Sequence, residues 1–153
     1  MQEMVTSALQ PDGVTLNVLV DTCAAAGDLR RGEAWLSRFP SAGLRPEARS
    51  YGSLVDACAR LAAVQEASTW FGRMERSGVQ ATVIQYNQLL HAYASATPPR
   101  PVEAAAVFRR MLARGVAPTA VTVATLRRAV GARQVAEMCR VAGIDVDTRS
   151  DET

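Results

Sequence analysis

A single interval of 35 residues separates chemically similar residues along most of this 153-residue chain. The residues that return at this interval are aliphatic, aromatic, thiol and glycine residues: Leu19, Leu54 and Leu89; Trp35 and Trp70; Cys23 and Cys58; Tyr51 and Tyr86; Gly43 and Gly78. Gly78 and Gly115 are instead 37 apart, which locates a two-residue insertion within residues 96–101. Such a period predicts repeated supersecondary units, each burying its apolar face against a neighbour.

The period divides the chain into consecutive segments. We predict the tail of a preceding repeat at residues 1–12, three repeats at 13–47, 48–82 and 83–119, a shortened fourth repeat at 120–147, and a polar tail at 148–153. The fourth repeat is shorter because Gly115 and Gly143 are only 28 residues apart, which removes about two helical turns.

Within each repeat, apolar residues recur at helical spacing in two stretches separated by a turn. In the first repeat, Asp28 is predicted to cap the second helix, Gly43 to follow its end at positive φ, and Pro46 to prevent the helix from resuming. The predicted fold is therefore all-α: an α-solenoid of stacked 35-residue helix-turn-helix repeats that coil into a right-handed superhelix with a concave surface.

The pattern also predicts which residues pack. In the first repeat, we expect a first helix over about residues 15–26 and a second helix carrying Ala34, Trp35, Leu36 and Phe39. Cys23 and Cys58 are predicted core residues, and Trp35 and Trp70 are predicted packing anchors. Small residues recur early in each second helix and should let neighbouring helices approach closely; they are Gly32, Ala67 and Ala104.

Composition and charge narrow the class of protein. The hydrophobic fraction of 48% is that of a globular protein, and no segment has the length and apolar character of a membrane span. The net charge of +2 is too small for a protein that coats nucleic acid non-specifically.

The three cysteines have no CxxC motif, so they indicate neither a disulfide framework nor a zinc site and fit a reducing compartment. No targeting signal is recognised in the chain.

No catalytic arrangement is evident. His91 is the single histidine and has no cysteine or carboxylate at ligand spacing, so it is expected to lie on the surface or in a groove. Asp21 and Asp56 occupy equivalent positions, but the third repeat has His91 there, which argues against paired-carboxylate chemistry. We therefore expect no enzyme activity, no cofactor, no metal and no small-molecule substrate.

Two short motifs resemble the pentatricopeptide repeat family. Residues 15–21 (TLNVLVD) and 86–90 (YNQLL) look like the start of a family repeat, and residues 111–118 (MLARGVAP) look like its end. Residues 74–81 match that ending except for its proline. The nearest rival, the tetratricopeptide repeat, has 34 residues and a W-x-x-L-G-x-x-Y pattern that is not found here.

The resemblance implies how RNA would be bound. In this family each repeat contacts about one nucleotide, and the fifth and last residues of the repeat hydrogen-bond the base. The implied pairs are Asn17 with Glu47, Gly52 with Thr82, Asn87 with Thr119, and Ala124 with Asp147. The residues implied to sandwich the bases are Val14, Arg49, Ile84 and Val121.

The implied site departs from the family pattern. Only Asn17 and Asn87 are usual base-reading residues, and they imply a preference for pyrimidines. Gly52 and Ala124 cannot hydrogen-bond a base through a side chain. Arg49 replaces an aliphatic sandwich residue but could stack on a base through its guanidinium plane.

The expected role of each basic residue depends on whether it lies on the first or the second helix of its repeat. Arg60, near the end of a first helix, is the best-placed phosphate ligand, and Arg127 with Arg128 lie on the first helix of the fourth repeat, where a role in RNA binding and a solvated role both stay open. Arg38, Arg73 and Arg110 recur on second helices and are expected on the solvated convex face.

The resemblance implies a non-enzymatic protein that binds single-stranded RNA in organellar transcript processing, stability, editing or translation, and therefore a mitochondrial or chloroplast location. The alternative is a protein-interaction scaffold on the same fold, which the degenerate base-reading positions favour. A concave face lined by apolar or acidic groups would favour the scaffold, and a basic face would favour RNA.

Overall fold

A computed structural model describes residues 12–144 of the chain. Within this range it contains eight α helices, one 3-10 helix and no strand: α1 (Gly13–Ala25), α2 (Leu29–Leu36), the 3-10 helix (Pro40–Ala42), α3 (Ala48–Arg60), α4 (Val64–Arg76), α5 (Val83–Ser95), α6 (Pro101–Ala113), α7 (Ala120–Val130) and α8 (Ala132–Val141). We call the first helix of each repeat an A helix (α1, α3, α5, α7) and the second a B helix (α2, α4, α6, α8). The predicted polar tail at 148–153 and nearly all of the predicted leading tail lie outside the described residues.

The chain divides into two compact units, an N-terminal unit at residues 1–80 and a C-terminal unit at residues 81–153. In the N-terminal unit α1 packs on α2 and on α3, and α3 packs on α4. In the C-terminal unit α5 packs on α6 and on α7, and α7 packs on α8. Each unit is thus a pair of hairpins in which the two A helices lie against each other, as the 35-residue period predicts.

Local sequence determines where the helices begin and end. The Asp28 carboxylate accepts a hydrogen bond from the Arg31 N–H at 3.1 Å and caps α2, as predicted. Gly43, Gly78 and Gly115 adopt φ values of 71°, 84° and 74° after the second helix of their repeats. This left-handed conformation is inexpensive only for glycine, which explains why glycine returns at these three positions.

The prediction for the second helix of the first repeat was partly wrong. α2 ends at Leu36, and Phe39 lies beyond it, before the 3-10 helix that begins at Pro40. Because Pro40 has no N–H, it cannot donate to the Leu36 carbonyl, which accepts a 3.3 Å bond from the Phe39 N–H instead. Phe39 is nevertheless buried.

The core of each unit is formed by apolar side chains at the predicted helical spacing. Its largest fully buried members are Leu16, Val20, Phe39, Leu54, Val55, Phe71 and Met74 in the N-terminal unit, and Tyr86, Leu90, Phe108, Met111 and Leu126 in the C-terminal unit. Burial raises the pKa of the Tyr86 hydroxyl above its ordinary value of 10.0.

Two predicted packing residues are less buried than expected. Cys58 and Trp70 lie in the core, but Cys23 and Trp35 are half-buried. Both line a surface cavity of about 460 Å³ between α1 and α2. Within the described residues these two side chains are therefore less covered than their counterparts Cys58 and Trp70 in the second repeat.

A B-helix arginine links successive hairpins. The Arg73 guanidinium lies 4.3 Å above the Trp70 ring centroid and forms a 2.9 Å ion pair with Glu33 of α2. A cation over an indole ring and a partly exposed ion pair each contribute modestly to stability. Arg73 therefore has partners on the B helices.

Candidate nucleic-acid interface

The two predicted base-reading asparagines occupy equivalent positions in separate units. Asn17 lies on α1 and Asn87 on α5, and both side chains are half-buried. In each case the neighbouring A helix of the same unit supplies a hydroxyl to the asparagine: the Ser50 hydroxyl donates to Asn17 Oδ1, and the Thr122 hydroxyl donates to Asn87 Oδ1 at 2.6 Å. The same arrangement therefore occurs twice.

Ser50 and Thr122 are the third residues of their repeats, and both are fully buried. A buried hydroxyl without a hydrogen-bond partner costs free energy, and the asparagine oxygen of the preceding repeat supplies that partner here. Neither residue was among the predicted site residues. Their recurrence at one repeat position was visible in the sequence, but their contact with the asparagines depends on how α3 packs on α1 and α7 on α5.

The predicted last residues of the repeats lie at helix N-termini. Glu47 is the exposed N-cap residue of α3, Thr82 that of α5 and Thr119 that of α7. The Thr119 N–H donates to Thr122 Oγ1 at 3.0 Å, and Thr122 in turn donates to Asn87. In the C-terminal unit, Thr122 thus connects both residues of a predicted base-reading pair.

The predicted base-reading pair of Gly52 and Thr82 differs from the other two predicted pairs. Gly52 is buried in α3 and has no side chain that could read a base. Thr82 shares a capping box with Gln85: Gln85 Oε1 accepts hydrogen bonds from the Thr82 N–H at 2.8 Å and from its hydroxyl at 2.7 Å. Gln85 is the third residue of its repeat, equivalent to Ser50 and Thr122, and like Thr122 it takes part in the capping box of its own helix. For the Ala124 pair, Asp147 lies outside the described residues.

Aliphatic side chains at three of the four predicted sandwich positions are exposed to solvent. The exposed fractions of Val14, Ile84 and Val121 are 72%, 61% and 60%. Single exposed aliphatic residues are common on protein surfaces. Here, however, they recur at the second residue of the repeat, and Val14 and Ile84 lie three residues before Asn17 and Asn87 on the same helical face.

The remaining sandwich position, in the second repeat, is occupied by Arg49. Its guanidinium forms a 3.0 Å ion pair with Asp21 of α1. The Asp21 carboxylate also accepts a hydrogen bond from the Ser53 hydroxyl. Asp21 is the ninth residue of its repeat, so this contact places the ninth position of one A helix beside the second position of the next.

Arg60, the predicted phosphate ligand, has two structural partners. Its Nη2 donates to the Ala24 carbonyl in the last turn of α1 at 3.2 Å, and its Nε donates to Asp56 at 3.2 Å. The Ala24 carbonyl also accepts the Gly27 N–H at 3.0 Å, so Arg60 adds a second hydrogen bond at the C-terminal end of α1.

The ninth position of the repeat changes charge along the chain: it holds Asp21, Asp56, His91 and Arg128 in successive repeats. Arg128 is exposed on α7, and its neighbour Arg127 is half-buried. Of the two arginines for which an RNA-binding role was left open, Arg128 is therefore the better-placed cation by repeat position.

The two units differ in charge on their A helices. α1 and α3 carry Asp21 and Asp56 together with Arg49 and Arg60, and their charges cancel. α5 and α7 carry Arg127 and Arg128 and contain no aspartate or glutamate. We call the exposed side of α5 and α7, with Ile84, Asn87, His91, Val121 and Arg128, the C-terminal A surface; its equivalent on α1 and α3, with Val14, Asn17, Asp21 and Arg49, is the N-terminal A surface.

Among residues 12–144 there is no group of three or more His, Cys, Asp or Glu side chains that could hold a metal ion. The helices of that same part of the chain are all too short or too polar to cross a membrane.

Comparison with known proteins defines the class. The sequence matches the pentatricopeptide repeat domain over residues 1–61 and 69–133, and a single PPR repeat over residues 49–79. This chain therefore belongs to the pentatricopeptide repeat family. No curated protein matches it.

Solved structures of the pentatricopeptide repeat protein PPR10 are similar to this chain. PPR10 in complex with an 18-nt psaJ RNA element is 27% identical, with a TM-score of 0.78 over 91% of this chain, and a variant with three cysteine-to-serine substitutions, also in complex with the psaJ element, gives the same values. PPR10 from maize is 23% identical, with a TM-score of 0.72 over 92% of this chain. These similarities confirm the predicted α-solenoid fold. The chain spans 20% of the length of each of these structures.

Proposed function

We propose that this chain is an RNA-binding segment of a pentatricopeptide repeat protein and that it binds single-stranded RNA through its A helices, without catalysis. The observation that carries the proposal is the recurrence, in both units, of an exposed aliphatic residue three positions before a half-buried asparagine: Val14 with Asn17, and Ile84 with Asn87. A flat apolar contact beside an amide donor suits an unpaired base, which offers both a ring face and a polar edge.

The relatives support the choice of ligand. A pentatricopeptide repeat structure that is 27% identical to this chain over 91% of its length contains an 18-nt RNA element. Because the family assembles its RNA site from successive repeats, a segment with the same repeat geometry is expected to provide a corresponding part of such a site.

The charges on the A helices support a larger contribution of the C-terminal unit to RNA affinity. Phosphates are attracted to the C-terminal A surface, where Arg128 is exposed and α5 and α7 hold no carboxylate. On the N-terminal A surface Asp21 neutralises Arg49. Asn87 and Arg128 are therefore proposed to contribute more to affinity than Asn17 and Arg49.

Within this proposal the parent protein acts in organellar RNA processing, stability, editing or translation, as the family resemblance implies. Localisation of a fluorescent fusion of the full-length parent protein tests this part. A mitochondrial or chloroplast signal is expected, and a diffuse signal outside both organelles would contradict it.

The binding proposal is tested by fluorescence anisotropy with labelled single-stranded RNA pools and a duplex of the same composition. We expect the wild type to prefer single strands and Arg128→Ala to weaken binding and to lower the salt dependence by about one phosphate contact. Arg133→Ala removes the same charge from the exposed start of α8 and should leave affinity unchanged.

A protein-interaction scaffold is the second candidate, favoured by the cancelled charges on α1 and α3 and by the absence of a side chain at Gly52. The same experiment separates the two candidates. No binding to any RNA pool at high micromolar protein would overturn the RNA proposal and support the scaffold.

A further inference from the structure

The side-chain amides of Asn17 and Asn87 are each hydrogen-bonded by a buried hydroxyl residue of the next repeat. We infer that Ser50 and Thr122 are positioning residues that fix the orientation of the Asn17 and Asn87 carboxamides, so that each presents its amino group, and not its oxygen, to a base. This inference rests on the proposed RNA-binding function.

The contact is the same in both units. Ser50 and Thr122 are each fully buried, and each donates its hydroxyl proton to the Oδ1 atom of the asparagine on the preceding A helix. In the C-terminal unit the Thr122 hydroxyl oxygen also accepts the Thr119 N–H at 3.0 Å and lies 3.2 Å from the Thr119 hydroxyl oxygen. The Thr122 hydroxyl can therefore accept a hydrogen bond from Thr119 while it donates its proton to Asn87 Oδ1 at 2.6 Å.

Orientation of the amide has a chemical consequence. The oxygen and the amino group of a carboxamide lie on opposite sides of its carbon, so an oxygen turned toward the neighbouring helix leaves the Nδ2 amino group as the part that can reach a base. An amino group donates to an acceptor such as the O2 atom of uracil or cytosine. Reading adenine by a bidentate amide contact requires the amide oxygen as well, and here that oxygen is turned toward the neighbouring A helix.

The chain also contains an internal comparison. Where the fifth residue of a repeat is Gly52, no amide needs to be oriented, and the third residue of the following repeat is Gln85 instead of a hydroxyl residue. Gln85 binds the N-cap of its own helix through Thr82, as Thr122 also does through Thr119. The contact that Ser50 and Thr122 share is therefore the one with an asparagine. A buried serine or threonine thus accompanies an asparagine in both cases, and it is replaced where the asparagine is absent.

The experiment uses the fact that Asn17 and Asn87 are the only asparagines in the sequence. Protein made with ¹⁵N-labelled asparagine gives two side-chain NH₂ signals, which Asn87→Ala assigns. Without RNA, Thr122→Val should shift the Asn87 amide signal and leave the Asn17 signal in place, whereas Ser50→Ala should do the reverse. Thr122→Ser keeps the hydroxyl and should preserve the wild-type signal.

Base selectivity is the second readout, which a purely structural role would not change. For the Ser50→Ala/Thr122→Val variant, the ratio of affinities for oligo(U) and oligo(A) should fall by up to about tenfold, in line with the loss of a hydrogen bond. Thr69→Val is the matched control, because the Thr69 hydroxyl on α4 binds only the Gln65 carbonyl of its own helix at 2.9 Å. The control should leave the ratio unchanged.

The outcomes separate the inference from the function on which it rests. If Thr122→Val leaves the Asn87 amide signal unchanged, the hydrogen bond does not orient the amide, and the inference is wrong. If the signal shifts but the affinity ratio stays at its wild-type value, orientation does not set selectivity, and the inference is again wrong. If the wild type binds neither oligonucleotide while the signal shifts as expected, the proposed function has failed and the positioning role fails with it.

Discussion

A methyl group added at Gly32 would place its carbon 2.6 Å from Leu54 Cδ2, well inside van der Waals contact. Gly32 is buried in α2, and Leu54 is fully buried in α3. The second helix of the first repeat therefore approaches the first helix of the second repeat as closely as it does because this position has no side chain. The sequence predicted such an approach from the small residues Gly32, Ala67 and Ala104.

Gly32→Ala is accordingly expected to destabilise the protein by about 1–3 kcal/mol, because the cost of overpacking exceeds the gain in helix propensity. Gly72→Ala in α4 is the matched control, since no atom from outside the adjoining turns of its own helix lies within 4 Å of its added carbon. The control should stabilise the protein by about 0.5–1 kcal/mol. Urea denaturation measures both, and a stabilising Gly32→Ala would contradict the packing described here.

Exposed aliphatic residues on A and B helices are expected to differ in function. Ile84 on α5 and Val102 on α6 are 61% and 77% exposed, so replacing either with serine should change stability little. Ile84→Ser should weaken binding of single-stranded RNA by about tenfold, since a base stacked on a protein side chain contributes about 1–3 kcal/mol. Val102→Ser should have no effect. Equal effects of the two variants in an anisotropy titration would contradict the assignment of RNA to the A helices.

The three thiols are expected to react at different rates. Cys58 and Cys139 are fully buried and Cys23 is half-buried. Burial, assisted by the nearby Glu66 carboxylate, raises the pKa of Cys58 to about 11, so this thiol stays protonated at pH 8. A thiol reagent should therefore label Cys23 first in the folded protein. Mass spectrometry after partial labelling checks this order. Rapid modification of Cys58 would contradict the burial of its side chain in α3.

The pKa of Cys58 also predicts how stability depends on alkaline pH. A thiol whose pKa is higher in the folded state than its ordinary value of 9.0 binds its proton more tightly in that state. Its contribution to stability is complete below pH 9 and is lost as the pH rises from about 9 to about 11. Cys58→Ala should remove this part of the pH dependence in urea denaturation at a series of alkaline pH values.

Much of the fold could be predicted from the sequence because repetition shows each local signal several times. The return of glycine at residues 43, 78 and 115 predicted the positive φ values, and the position of Asp28 predicted the cap of α2. The end of α2 at Leu36 was missed, because Pro40 interrupts a helix whose counterparts in the later repeats have no proline at that position. Cys23 was expected in the core because it is equivalent to Cys58. The period alone does not determine how much of each repeat is covered by other parts of the protein, and Cys23 is only half-buried.

The candidate site was less predictable than the fold. Repeat position identified Asn17 and Asn87, but the hydroxyl partners Ser50 and Thr122 become apparent only when α3 packs on α1 and α7 on α5. The same packing pairs Arg49 with Asp21. From the sequence, Arg49 was expected to be able to stack on a base. Contacts between side chains of different repeats depend on helix packing, and a one-dimensional pattern does not contain that information.

The central claim, that RNA binds along the A helices, is tested most directly by mapping photocrosslinks. A single-stranded RNA pool containing 4-thiouridine would be irradiated with the protein, and the crosslinked peptides identified by mass spectrometry. Crosslinks are predicted in α5 and α7, close to Ile84, Asn87 and Val121, with fewer in α1 and α3. Crosslinks confined to the B helices α4, α6 and α8 would contradict the account.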